Sequence, residues 1–169
     1  MSALEELEED VLRWLDETRS ILVSIKRIVE YFGDEDEYES LLASLVLPEV
    51  FLEGVIPAFQ NPLWRATTTG IRPSHFACQR TVAAMINPLL QIIVEPVPGF
   101  VPLARKELER SHFKALIRHV GGFTGSISVD ICIPLWRAFP DLMPEGWEAV
   151  AQEGSTEPKS DQARGDDEK

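Results

Sequence analysis

The chain has 169 residues, 44% of them hydrophobic, which suffices for one domain whose core needs no disulfide or metal. Its two cysteines, Cys78 and Cys132, follow no disulfide or metal-binding spacing, which favours a reducing compartment. The net charge of −12 divides into −9 over residues 1–40, zero over 41–150 and −3 over 151–169. Because the body of the chain is neutral and its ends are acidic, we expect no nucleic-acid partner.

No uncharged apolar run reaches the roughly 18–20 residues that a membrane-spanning helix needs. Residues 40–60 come closest, but Glu49 and Glu53 interrupt them. The acidic, amphipathic N-terminus is unlike a signal or transit peptide. We therefore expect a soluble cytoplasmic or nuclear protein with no membrane insertion.

The clearest element is a first helix over residues 2–33. Ser2 followed by Glu5 fits a capping box, and Gly33 suits the C-terminal end. The a and d positions of a heptad repeat are apolar, with one threonine, over four repeats: Leu4, Leu7, Val11, Trp14, Thr18, Ile21, Ile25, Ile28 and Phe32. A second line of Leu15, Leu22 and Val29 widens this face. Residues 4–32 are therefore either one helix of a bundle or a separate helix for self-association or for docking another protein.

Three further elements follow in the next part of the chain. Asp36 is expected to cap a second helix, which Pro48 should end or kink. Residues 65–73 have no periodicity and are predicted to form a loop. Pro73-Ser74 should open a third helix, apolar nearly all round, which Pro88 should kink.

A fourth helix is predicted from about Pro102 to Val120, with Gly121-Gly122 ending it. Its outward face carries the one basic stripe in the body of the chain: Arg105, Lys106, Arg110, Lys114 and Arg118. This basic stripe can pair with the acidic first helix, within the chain or between chains, although exposed pairs are weak.

The end of the chain is harder to assign. Residues 126–133 alternate like a strand, but a lone strand would have no partner, so we favour helix and keep strand as the alternative. A last short helix is predicted over 141–150 with Trp147 as its anchor. Residues 151–169 have the polar composition of a disordered acidic tail.

One pentapeptide occurs twice, as Pro62-Leu-Trp-Arg-Ala66 and as Pro134-Leu-Trp-Arg-Ala138. Because the chain has only four tryptophans, this pattern indicates two related helical hairpins that each end in a Trp-anchored turn. Coincidence is the alternative. Arg65 and Arg137 are then expected to bind carbonyls or carboxylates, and Trp and Arg are also the residues enriched in binding hot spots.

Signals for catalysis or metal binding are weak. His75 and Cys78 have H-x-x-C spacing, but His112, His119 and Cys132 follow at irregular distances, and no C-x-x-C is present. The chain has no Gly-rich phosphate loop, no G-x-S-x-G and no H-E-x-x-H. We therefore expect no metal or cofactor.

These observations predict an all-α domain over residues 2–150, a single bundle of five to seven helices with proline kinks. We expect a non-enzymatic interaction, assembly or adaptor protein that acts through its first helix or through an apolar groove. The alternative is a small helical enzyme or metal-binding protein with a pocket around His75, Cys78 and His112. The candidate partner-binding residues are Leu7, Trp14, Ile21, Ile28, Trp64, Arg65, Trp136 and Arg137.

Overall fold

The computed structural model describes residues 1–72 and 74–153, and over these ranges the chain is helical without a strand. The helices are α1 (Ala3–Phe32), α2 (Glu35–Glu53), α3 (Val55–Gln60), α4 (Arg80–Val94), α5 (Val101–Glu107), α6 (Arg110–Ile127), α7 (Ile133–Ala138) and α8 (Glu148–Glu153). A π-helical turn over Ser128–Cys132 joins α6 to α7, and a 3₁₀ turn over Pro140–Leu142 follows α7. The predicted all-α class is confirmed.

The helix count also agrees with the prediction. Because α2 runs into α3 at Gly54 and α6 runs into α7 through the π-helical turn, the described residues form six helical segments. The predicted helix over 126–133 is confirmed by the end of α6 and the π-helical turn. Residues 151–153 belong to α8, and the remainder of the predicted tail lies outside the described residues.

Helix α1 begins as predicted but buries a rotated face. Ser2 Oγ accepts the backbone N–H of Glu5 at 3.2 Å, and the Glu5 carboxylate accepts the N–H of Ser2 at 2.7 Å. The buried residues of the helix are Leu7, Val11, Leu15, Thr18, Leu22, Ile25 and Val29. The additional apolar residues Leu15, Leu22 and Val29 thus lie at the centre of the buried face of α1, while Leu4 and Phe32 at its ends are exposed. The reason is that α1 contacts α2, α4 and α5, and burial on three sides needs a wider face than a single heptad seam.

The second helix begins at a different cap from the predicted one and continues through Pro48. Asp34, not Asp36, is the N-cap, and its carboxylate accepts the Glu37 N–H at 2.8 Å. Pro48 lies inside α2 and does not end it. Proline removes only one helical hydrogen bond, and the side chains of Leu45 and Leu52 on either side are buried in the core, so packing outweighs that loss.

The third helix begins at Arg80, so its predicted start at Pro73-Ser74 was wrong. Pro73 lies outside the described residues, and the segment 74–79 is irregular because its N–H groups bind other elements. The Phe76 N–H donates to the Asp130 carbonyl at 2.9 Å. The N–H groups of residues 77 and 79 donate to side chains of α2, Ser40 Oγ at 3.2 Å and Glu37 Oε2 at 3.3 Å. This segment ties α2 to the π-helical turn.

The predicted fourth helix is in fact two helices, since α5 ends at Glu107 and α6 begins at Arg110. Gly121-Gly122 does not end α6, which continues to Ile127. A β-carbon at Gly122 would lie 2.5 Å from the ring of Phe51 on α2. Gly122 therefore serves close helix packing and not helix termination.

The last described residues, 140–153, pack on α4 and α7. Trp136 is fully buried, and its indole N–H donates to Asn87 Oδ1 at 2.8 Å. The Asn87 amide in turn donates to the Leu142 carbonyl at 2.8 Å, and the Trp147 ring lies 5.0 Å from that of Trp136. Trp147 is thus the expected anchor, but the predicted helix over 141–150 begins only at Glu148.

One helical stretch of the described residues, Glu35–Gln60, is long and apolar enough to cross a membrane by length and composition. Its most apolar window is 44% buried inside the domain. A core helix of a soluble protein passes the same test, so this stretch is weak evidence and does not establish membrane insertion.

The contact of Gly122 with Phe51 predicts opposite effects at two glycines of α6. Gly122→Ala should lower the free energy of unfolding by about 1–3 kcal/mol, because the added methyl group displaces the Phe51 ring. Gly125→Ala, where nothing lies within 4 Å of the added β-carbon, should raise it by about 0.5–1 kcal/mol through helix propensity. Urea denaturation measures both. Equal effects of the two substitutions would contradict the close packing.

Candidate functional site

A mainly apolar surface cavity lies between the outer face of α2 and the loop that follows α3. It has a volume of about 520 Å³ and is lined by Val46, Glu49, Val50, Glu53, Gly54, Trp64, Ala66 and Thr67. We call it the Trp64 groove. Its walls are apolar side chains, and the polar side chains at its rim are the two glutamates and Thr67. Apolar concave surfaces with a few placed polar groups are where proteins bind ligands and partner segments.

Local hydrogen bonds fix the loop that presents Trp64. The Asn61 carboxamide oxygen accepts the Leu63 N–H at 3.0 Å, and the Asn61 carbonyl accepts the Trp64 N–H at 3.0 Å. The Arg65 guanidinium donates to the carbonyls of Pro62, at 2.9 Å, and of Trp64, at 3.0 Å. The loop is therefore a closed turn whose geometry does not depend on the groove being filled.

Trp64 rests on a floor made by Gly54 and His119. A β-carbon at Gly54 would lie 2.6 Å from Trp64 Cζ3 and 2.8 Å from His119 Cδ2, so only glycine fits there. The ring of buried His119 lies 5.3 Å from that of Trp64 and 6.2 Å from that of Phe51. Its Nδ1 is 2.8 Å from the Ala115 carbonyl, which can only accept, so Nδ1 carries a proton. Hydrogen bonding and packing thus hold the floor in one arrangement.

The carboxylates of Glu49 and Glu53 form one rim of the groove and pair with cations of α1. Arg19 donates two hydrogen bonds to Glu53, each at 3.2 Å, and Lys26 pairs with Glu49. Both glutamates stay accessible, since the side chain of Glu53 is 66% exposed and that of Glu49 is 38% exposed. Because exposed ion pairs contribute only about 0–1 kcal/mol each, these carboxylates can also accept a cation from a partner.

The predicted binding residues of α1 face the domain. Leu7 is fully buried and offers no surface in this conformation. Trp14, Ile21 and Ile28 are half-buried and pack against the core. Trp14 packs edge-on to Phe100, with ring centroids 5.6 Å apart. The heptad face of α1 is thus accounted for by packing within the chain.

The two copies of the repeated pentapeptide adopt different structures. The first forms the turn that presents half-buried Trp64, whereas the second is helical in α7 and buries Trp136 completely. The predicted carbonyl contacts of both arginines are present, since Arg137 donates to the Ala151 carbonyl at 2.7 Å and Arg65 binds its own turn. Of the predicted residues from the repeat, Trp64 lines the groove and exposed Arg65 holds its turn.

The residues of the alternative pocket do not come together as one site. His75 is exposed and interacts electrostatically with Asp130 in the π-helical turn. His112 lies near the start of α6, roughly 27 Å from Asp130 along the helix at 1.5 Å per residue. The cavity beside Cys78 is lined by Glu37 and six other residues, none of them a histidine. Within residues 1–72 and 74–153, no group of three or more His, Cys, Asp or Glu side chains could hold a metal.

Burial keeps the cysteines protonated. Desolvation, with the nearby charge of Glu37, raises the pKa of the Cys78 thiol to about 12. Burial likewise raises the pKa of Cys132 well above its usual value, and burial of Asp130 raises the pKa of its carboxyl against the opposing charge of His75. A thiol that stays protonated at neutral pH is a poor nucleophile and a poor metal ligand.

Sequence reasoning missed Gly54, His119 and Val46 as parts of the groove. A glycine within an apolar helical stretch often marks close approach by another group, and that signal was available for Gly54. From the sequence, His119 is a candidate only for metal binding. Val46 is 46% exposed on the outer side of α2.

Comparison with known proteins assigns neither a family nor a function to the chain. The chain matches no protein-family model, no curated protein and no solved structure. Function is therefore argued from the groove and from the residues that build it.

The raised pKa of Cys78 predicts that its thiol reacts slowly with alkylating reagents. Below about pH 10 the folded chain should hold almost no Cys78 thiolate, so at pH 8 its alkylation should be at least about 100-fold slower than in the urea-unfolded chain. Peptide-resolved mass spectrometry after iodoacetamide treatment measures both rates. Glu37→Gln should speed the folded-state reaction, since it removes the second cause of the shift. Equal rates in the folded and unfolded chains would contradict the raised pKa, and a faster reaction in the folded chain would identify an activated nucleophile.

Proposed function

We propose that this protein is a non-enzymatic protein–protein interaction module that binds an apolar segment of a partner in the Trp64 groove. The observation that carries this proposal is an apolar cavity of about 520 Å³ whose aromatic wall is held in place by the chain itself. Preorganised aromatic anchors bind at low entropic cost, and tryptophan is among the residues most enriched in binding hot spots.

The rim determines what kind of partner fits. Glu49 and Glu53 place carboxylates at the edge of the apolar surface, and the protein as a whole carries a net charge of −12. A matching segment has one or two large apolar side chains flanked by Lys or Arg. Such a segment places its apolar residues against Trp64 and its cations near the glutamates.

Helix α1 has a supporting role in this proposal. Its buried seam stabilises the domain, and its Arg19 and Lys26 position the rim carboxylates through the ion pairs with α2. Partner binding then uses the outer surface of α2 and the loop after α3. We further propose that the protein works in the cytoplasm or nucleus, where its two free cysteines stay reduced.

Selection from a random-peptide display library tests the proposal. Peptides selected on the wild-type protein, after depletion on Trp64→Ala, should carry apolar residues next to Lys or Arg. Trp64→Ala should weaken their binding at least about tenfold in calorimetry, since loss of an anchoring tryptophan costs about 2 kcal/mol or more. Val46→Lys should weaken it too, because it places a cation where a cationic segment binds.

The matched control is Leu63→Ala, because Leu63 is 82% exposed, neighbours Trp64 and does not line the groove. Its affinity for the selected peptides should stay within about twofold of wild type. Thermal melts verify that every variant is folded. The proposal fails if no peptide prefers wild type to Trp64→Ala, or if the preferred peptides are acidic.

A further inference from the structure

A second apolar groove lies between α6 and the proline-rich segment that joins α4 to α5. It has a volume of about 220 Å³, and its lining includes Val94, Val97, Val101, Ile117, Val120 and Gly121. We call it the connector groove. Val97 is 73% exposed at its edge, and a β-carbon added at Gly121 would have no atom within 4 Å. The α6 side of the groove is thus open to another chain segment.

Cations flank the connector groove. Lys114 and Arg118 are exposed on α6, three residues before Ile117 and Gly121 respectively, and so lie one turn from these groove residues. They form the C-terminal end of the basic stripe. Among residues 1–72 and 74–153, neither makes an ion pair. An apolar groove with a cationic rim suits a segment that combines apolar and acidic side chains.

The first half of α1 presents such a segment on its outer side. Leu4 and Leu12 are 51% and 44% exposed, and exposed Glu8 lies midway between them on the same helix face. Residues 1–17 carry seven acidic side chains and one basic side chain. None of the ion pairs in the described part of the chain joins this half of α1 to the basic stripe. The acidic face and the cationic groove therefore both remain open on one molecule.

We propose that the connector groove receives the first half of α1 from a second copy of this chain. Leu4 and Leu12 enter the apolar groove, and Glu8 with its neighbour Glu9 faces the cations of α6. The two surfaces are different, so the contact is head-to-tail and extends into rings or chains of molecules. This inference is independent of the Trp64 groove, whose residues take no part in it.

Sedimentation velocity of the full-length protein tests the association. At low salt the average mass should rise with concentration through the micromolar range. In about 0.5 M salt it should return to that of the monomer, because salt screens exposed charges over a few ångströms. A monomer at every concentration in low salt would overturn the proposal.

Charge reversal locates the contact. One variant carries Lys114→Glu with Arg118→Glu, and another carries Glu8→Lys with Glu9→Lys. Each should remain monomeric by itself, because the side chains at the substituted positions would then meet charges of their own sign across the contact. Mixed together they should associate again, since each variant then presents the complement of the other. Failure of the mixture to associate, or association of either variant alone, would contradict this arrangement.

Two controls separate this contact from general charge effects and from misfolding. Arg27→Glu with Arg72→Glu changes the net charge as much as the α6 variant does but lies outside both faces, and its association should match wild type. Leu12→Ala leaves the charge unchanged and should weaken association at least about threefold, because it removes apolar area from the contact. Wild-type-like association of Leu12→Ala would count against α1 as the occupant.

Discussion

The close packing of α6 against α2 and α3 is the contact on which the rest of the structure depends. It requires a glycine on each side, Gly122 beneath Phe51 and Gly54 beneath Trp64 and His119. Because β-carbons at these positions would overlap the facing rings, the two glycines fix how near the helices lie and where the aromatic rings sit. The same contact that completes the core therefore also builds the wall and floor of the Trp64 groove.

Acidic and basic side chains occupy separate regions of the surface around this contact. The apolar face of α1 is buried in the core, and two of its cations, Arg19 and Lys26, pair with glutamates of α2. The accessible surface includes an apolar groove edged by carboxylates, a second groove edged by cations, and an acidic first half of α1. Such a distribution suits recognition of other proteins, since exposed apolar patches with a charged rim combine affinity with selectivity.

Features set by neighbouring residues could be predicted from the sequence. The capping box of Ser2 and Glu5, the helical class and the loop at 65–72 depend on side chains within a few positions. The contacts that position the Trp64 groove join residues that are far apart in the sequence. The sequence predicts a helix end at Gly122, because nothing local shows that Phe51 lies against this glycine. It also predicts helix over 74–79, because nothing local shows that the N–H groups of this segment donate to α2 and to Asp130. The two identical pentapeptides adopt different structures because Trp136 donates a hydrogen bond to Asn87, whereas Trp64 packs against Gly54 and His119.

The most direct test of the central claim follows the four tryptophan indole N–H signals by NMR. The titrant is a synthetic amphipathic peptide of Leu and Lys, compared with the same peptide carrying Glu in place of Lys. The Lys peptide should shift the Trp64 signal, assigned with Trp64→Phe, and leave that of buried Trp136 in place. An unmoved Trp64 signal, or equal shifts with both peptides, would contradict a binding site for apolar, basic segments at this groove.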